Sequence, residues 1–132
     1  MARPKTPHPT PAELEILKIL WDSGPLTVRE VLEHLNQTGS PRAYTSIMSL
    51  LNVMADKELL ERLPEGRAFR YRPLVERSST LGSLVSDVWQ RAFGGSTSSL
   101  VAHLLDQAQP SSGELDEIRR LLSQYEPPKE AP

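Results

Sequence analysis

Apolar side chains recur at three- and four-residue spacing along most of the chain, and the breaks in that rhythm mark out its elements. Thr10-Pro11-Ala12-Glu13 has the form of a capping box with proline at the first helical position, where its missing N–H costs nothing. Leu14, Leu17, Leu20 and Trp21 follow at helical spacing, and Gly24-Pro25 ends the helix. A second box, Thr27-Val28-Arg29-Glu30, opens a short helix with Val28, Val31, Leu32 and Leu35 inward and an exit loop from Asn36 to Ser40. Ser40-Pro41 is then expected to start a third helix running to about Lys57, with Tyr44, Ile47, Met48, Leu51 and Met54 on its packed side.

Beyond Leu60 the period changes. Pro64-Glu65-Gly66 reads as a turn, and after it Phe69 and Tyr71 alternate with Ala68, Arg70 and Arg72, as in a strand with one apolar and one basic face. With Glu61–Leu63 before the turn, the segment predicts a β-hairpin, and Leu26-Thr27 can supply a short third strand. Three helices followed by a basic hairpin is the order of a winged helix-turn-helix. A small α+β domain whose hairpin merely covers the core is the plainer alternative. The expected fold is therefore mainly α with a small β-hairpin, a winged helix-turn-helix followed by C-terminal dimerisation helices.

From about Arg77 the helical period returns. Leu81, Leu84, Val85, Val88 and Trp89 share one face, closed by Gly94-Gly95. Leu100, Val101, Leu104 and Leu105 share another, capped by Ser96 or Thr97. Ser111-Ser112-Gly113-Glu114 opens a third, with Leu115, Ile118, Leu121, Leu122 and Tyr125 inward. Burying a Leu-sized side chain gives roughly 1.5–3 kcal/mol, against about 1–2 kcal/mol of backbone entropy for each ordered residue. Helices this short and sparsely apolar need a partner surface. Either they fold back on the N-terminal domain or they pack against a second copy of the chain, and a homodimer through residues 78–125 is the favoured expectation. The implied domains are a winged-helix domain over 10–76 and a helical dimerisation region over 77–125, with proline-rich disordered tails over 1–9 and 126–132.

Composition narrows the chemistry. The 132 residues contain no cysteine, which removes disulfides, thiolate zinc sites and a thiol nucleophile. The N-terminus, MARPKTPHPTP, is too rich in proline and too poor in apolar residues for a signal peptide, and no apolar run is long enough to span a bilayer. A cytoplasmic location without membrane insertion is expected. The net charge is −2, yet residues 62–77 carry Arg62, Arg67, Arg70, Arg72 and Arg77 against only Glu65 and Glu76. A local basic field of this kind can steer a polyanion despite an acidic total.

The third helix is unusual on its outward side, which offers Arg42, Ala43, Thr45, Ser46 and Ser49 and no carboxylate before Asp56. The major groove of B-DNA admits a helix but not long side chains at every position. Short hydroxyls let the backbone approach and can bond base edges or phosphates, and Arg42 can reach a guanine or a phosphate. Arg67, Arg70 and Arg72 stand where a wing would neutralise phosphates of the flanking duplex. These eight residues are the candidate DNA contacts, and a mild solvent face is the alternative.

A resemblance sharpens this reading. AELEILKILWDSGPLTVREVLEHL, AYTSIMSLLNVMADKELLER, GRAFRYRPLVER and the downstream FGGSTSSLVAHLLD and ELDEIRRLLSQ resemble the penicillinase-repressor family of the BlaI/MecI/CopY type, over roughly residues 10–125. The resemblance implies a dimeric winged-helix repressor of inverted-repeat operators, with Leu81, Leu84, Val85, Val88, Trp89, Leu100, Leu104, Ile118, Leu121 and Leu122 in the dimer interface. It also implies relief either by cleavage linked to a membrane sensor metalloprotease or by copper at C-terminal cysteines. The absence of cysteine rules out the copper branch. The bond matching the cleaved one is His103–Leu104. Val53 and Glu58 depart from the family pattern, which has arginine and glycine there, and are expected to weaken phosphate contact.

Catalysis finds little support. His8, His34 and His103 have no metal-ligand spacing, the paired glutamates lack a nearby nucleophile, and Gly94-Gly95 is not followed by the Lys-Ser/Thr of a phosphate loop. No cofactor or metal is expected. Two other classes stay open: a winged helix that docks on an acidic protein, and a regulator with a small-molecule site between dimer helices.

Overall fold

Both capping boxes close. In the computed structural model, which describes residues 8–129, Thr10 Oγ1 accepts from the Glu13 amide at 3.2 Å and the Thr10 amide donates to Glu13 Oε1 at 2.9 Å, opening α1 (Pro11–Ser23). Thr27 and Glu30 repeat the exchange at 3.2 and 3.0 Å to open α2 (Val28–Gln37). Residues 1–7 and 130–132, which make up most of the expected tails, lie outside the described residues.

The third helix starts later than the sequence suggested. Gly39, at φ 82°, donates to Asn36 O at 3.3 Å and Ser40 donates to Leu35 O at 2.9 Å, a Schellman closure of α2. Ser40 thus terminates one helix instead of opening the next. After an extended link, α3 (Tyr44–Asp56) begins with Ala43 at its N-cap and no side-chain cap, so Arg42 and Ala43 precede it. The buried stripe of α3 is also narrower than expected. Ile47, Leu51 and Met54 are buried, but Tyr44 and Met48 are 44% and 38% exposed. With 3.6 residues per turn, those two side chains stand about 60–100° around the helix from Ile47, on the shoulder of the stripe.

The hairpin consists of β1 (Leu60–Glu65) and β2 (Ala68–Pro73), paired antiparallel from Leu60↔Pro73 to Glu65↔Ala68. Its turn is Gly66-Arg67, not Pro64-Glu65-Gly66, because Pro64 and Glu65 remain in register opposite Phe69 and Ala68. Gly66, at φ 61°, supplies the positive dihedral that a tight hairpin turn needs at its first position. Leu26 joins β2 through reciprocal bonds with Tyr71 at 3.1 and 2.8 Å, which gives the expected third strand as a single bridge. The core gathers Ile16, Leu17 and Leu20 of α1, Val31 and Leu35 of α2, the α3 stripe, and Leu59, Leu60 and Tyr71. Ile16 is fully buried where the periodicity favoured Leu14, which is only half-buried. Trp21 packs on this core, and its Nε1 donates to Val75 O at 2.9 Å.

Glu13 is 1% exposed, and its Oε2 lies 2.8 Å from Lys57 Nζ, clasping the start of α1 to the end of α3. Burial alone would push this carboxyl up. The Lys57 ammonium and the Thr10 hydrogen bonds outweigh burial and hold it below its ordinary value of 4.5. A depressed folded-state value means the stabilisation is present above the ordinary value and is lost as pH falls through the depressed one. Glu13→Gln is therefore expected to cost about 1–3 kcal/mol at neutral pH. Urea melts should show the gap from the parent closing below pH 4.5; a gap independent of pH would contradict the pairing.

Glu58 gives one family departure a backbone meaning. It donates to Ala55 O at 3.0 Å and Leu59 donates to Met54 O at 2.9 Å, so Glu58 fills the left-handed position of a second Schellman closure at φ 64°. A side chain there costs on the order of 1–2 kcal/mol, partly offset by the greater unfolded-state freedom of glycine. Glu58→Gly is expected to raise the melting temperature, with a net gain of about 0.5–1 kcal/mol. A lowered melting temperature would show that its carboxylate contributes more than its backbone strain costs.

The chain divides into two compact units, one ending at Ser86 and the other beginning at Asp87. Three further helices complete it: α4 (Arg77–Arg91), α5 (Thr97–Ala108) and α6 (Ser112–Gln124). Ser96 caps α5 and Ser111 caps α6, each hydroxyl accepting from the amide three residues on at 3.2 Å. None of the three helices contains a buried residue. Of the residues read as inward, Leu84, Trp89, Leu100, Leu115 and Ile118 are half-buried, whereas Leu81, Val85, Val88, Val101, Leu104, Leu105, Leu121, Leu122 and Tyr125 are exposed. No helix among the described residues is long and apolar enough to cross a membrane.

Candidate nucleic-acid interface

The outward side of α3 is open. Thr45, Ser46 and Ser49 are all exposed, as are Arg42 and Ala43 just before the helix. The apolar residues of the opposite side fix this orientation, since burying Ile47, Leu51 and Met54 turns the hydroxyls outward. Arg42 lies 3.5 Å from Glu15 across the link to α1 and stays partly exposed.

The wing is held to the helices at three places. Asn52 Oδ1 accepts from Arg62 Nη2 at 3.2 Å and from Tyr71 Oη at 3.3 Å, tying α3 to both strands. The Leu26–Tyr71 bridge ties β2 to the α1–α2 connection. Arg70 completes the set, with Nη1 2.8 Å from Glu30 and 3.2 Å from the Pro25 carbonyl, and Nε 2.7 Å from Glu65. The position of the wing relative to α3 is therefore fixed by the protein itself. A rigid reading head loses less entropy on binding than one ordered by its ligand.

These contacts divide the wing arginines. Arg70 is engaged by two carboxylates; the Glu65 hydrogen bond is the strongest influence holding its charge. Glu30 is in turn held below its usual range, first by the Thr27 amide and then by Arg70. Arg72 pairs with Glu61. Arg67, in the turn, is exposed and forms no ion pair among the described residues. Of the three arginines assigned to phosphates from the sequence, only Arg67 stands free in this structure. The same is true of Arg29 in the first turn of α2, which sequence reasoning passed over because an exposed helical cation carries no signal of its own. Among the described residues no group of three or more His, Cys, Asp or Glu could hold a metal ion.

The profile of the penicillinase repressor family matches residues 9–124. The chain belongs to that family. It is similar to the penicillinase repressor of Bacillus licheniformis, with 28% identity over 92% of this chain and 94% of the relative. It is also similar to the transcriptional regulator BlaI of Mycobacterium tuberculosis, with 31% identity over 86% of this chain and 82% of the relative. A solution structure of the DNA-binding domain of the repressor BlaI superposes with a TM-score of 0.50 at 30% identity, covering 58% of this chain and 92% of that domain. Family membership makes this a member of a repressor lineage and not of an enzyme lineage. The winged helix-turn-helix expected from the element order agrees with the fold found here.

Proposed function

We propose that the chain is a dimeric transcriptional repressor that binds an inverted-repeat operator through α3 and the wing. The observation that carries this reading is the open, carboxylate-free run of Thr45, Ser46 and Ser49 beside a wing locked in place. Such a face can enter a major groove without meeting the phosphates with like charge. Family membership supports it independently.

Dimerisation through α4–α6 is supported by three amphipathic helices that leave every apolar side chain exposed or only half covered. Two copies would bring two α3 helices to two half-sites, as repressor dimers do on palindromes. Relief by proteolysis at His103–Leu104, with a membrane sensor metalloprotease as the source of the signal, belongs to the same reading. The bond lies inside α5; the His103 ring rests edge-on against Phe93 at 5.0 Å and its Nδ1 bonds to Ser99 O at 3.1 Å. Cutting there requires α5 to open locally first. Leu104 and all of α6 would then be severed from the DNA-binding unit.

DNase footprinting across the upstream region of its own gene tests the core of the proposal. A protected palindrome, with half-sites about one helical turn apart or a multiple of it, is the expected result. A protein that protects nothing there and binds random duplex without salt dependence is no repressor of this kind.

A further inference from the structure

A groove of ≈ 480 Å³ lies between the start of α2, the first turns of α3 and the tip of the wing. Val28 and Tyr71 are buried within its lining, while Tyr44, Met48 and Phe69 remain partly exposed around it. Arg29 and Arg67 complete the lining. These are the two arginines without an ion pair among the described residues; Arg42, Arg62, Arg70, Arg72, Arg77, Arg91, Arg119 and Arg120 each face a carboxylate. The two uncompensated guanidinium groups of the described chain therefore sit on one aromatic-lined groove. The Thr27–Glu30 capping box occupies the amides of Thr27 and Glu30 and leaves those of Val28 and Arg29, so the positive end of α2 opens at the same place.

A matching ligand combines a compact apolar body with negative charge at more than one point, since the lining offers both apolar rings and two guanidinium groups. A sugar–phosphate strand has this combination: a deoxyribose face flanked by two phosphates. The groove is also continuous with the reading face, since Tyr44 and Met48 lie on α3 one position before Thr45 and Ser49. We propose that the groove seats the backbone of one DNA strand, with deoxyribose against Tyr44, Met48 and Phe69 and phosphates at Arg29 and Arg67. The assignment rests on the reading of α3 as the helix that enters the major groove. It gives exposed apolar side chains beside that helix a purpose, and it fixes how far α3 enters and at what angle.

The test is fluorescence anisotropy of the full chain on a labelled random-sequence duplex, titrated with salt. Each phosphate contact contributes about 0.9 to the slope of log affinity on log salt, so R29A/R67A should lower that slope by roughly 1.8. F69A removes no charge and should weaken binding about three- to tenfold with the slope unchanged, as expected for a lost apolar contact to the sugar. The arginines are exposed and unpaired, so R29A/R67A should melt with the parent, and F69A, which removes a side chain only 44% exposed, should melt a little lower while staying fully folded at the assay temperature. If the parent binds duplex but R29A/R67A keeps its slope, or F69A keeps its affinity, the groove assignment fails while the reading of α3 stands. If the parent binds no duplex, the reading of α3 fails first and takes the groove with it. Benzoate, an aromatic anion too small to be a strand, is the second probe. If it displaced duplex from the parent but not from R67A at constant ionic strength, the groove would be an effector pocket instead, and the proposal would be overturned.

Discussion

Replacing Ser49 by glutamate is expected to reduce duplex binding by about 100-fold or more without lowering the melting temperature. Ser49 is exposed one turn beyond Thr45, and α3 carries no carboxylate until Asp56. A helix in the major groove lies between two phosphate strands, where a new carboxylate meets several like charges at once. One such pair at 4 Å is worth about 1 kcal/mol in bulk water and about 4 kcal/mol in the reduced dielectric of a contact surface. A total near 2.8 kcal/mol already corresponds to about 100-fold. Glutamate is a better helix former than serine, so the exposed helix should not weaken. Ser49→Ala separates charge from the lost hydroxyl, and its effect should be smaller, about 1 kcal/mol. Anisotropy on a random duplex and on the upstream fragment reads both variants. Parent-like binding by Ser49→Glu on both probes would remove α3 from the groove.

Most of the architecture was legible because local chemistry dictates it. Two Thr-x-x-Glu boxes fixed the first two helix starts to the residue, and the change of period at Leu60 announced the hairpin. The errors arose where one residue had two possible uses. Ser40 reads equally well as a cap for the next helix or as the residue that closes the previous one, and only the geometry of Gly39 decides. Tyr44 and Met48 match a helical stripe in sequence, but whether a shoulder position is covered depends on what packs across it, and here they stay 44% and 38% exposed.

The candidate interface was legible as composition and not as pairing. A run of arginines predicts a basic wing, but not that Glu30 and Glu61, distant in sequence, will engage Arg70 and Arg72. Those engagements carry structural information of their own. Arg70 joins the wing to α2, and Asn52 joins it to α3, so residues that look like surface charge set the position of the wing relative to the helices. Among the arginines of the described residues, Arg29 and Arg67 are the two left without an ion pair. A count of basic residues therefore overstates how many are free to meet phosphate, and misses one that is.

The double variant Leu121→Asp/Leu122→Asp should convert the protein to a monomer. Leu121 and Leu122 are 63% and 70% exposed on α6, and α4–α6 contain no buried residue. In the proposed dimer these leucines are covered by the partner, and burying an unpaired carboxylate there is prohibitive. The winged-helix core shares none of these contacts and should keep its melting transition. Sedimentation equilibrium should give one chain mass for the variant and two for the parent. Binding to a palindromic fragment should fall by about 100-fold, because the second half-site no longer benefits from linkage, while binding to a single half-site stays at the parent value. That asymmetry is the informative part, since a damaged reading head would lower both affinities together. A variant that still sediments as a dimer would place the interface elsewhere, and the exposed leucines of α6 would then need another partner.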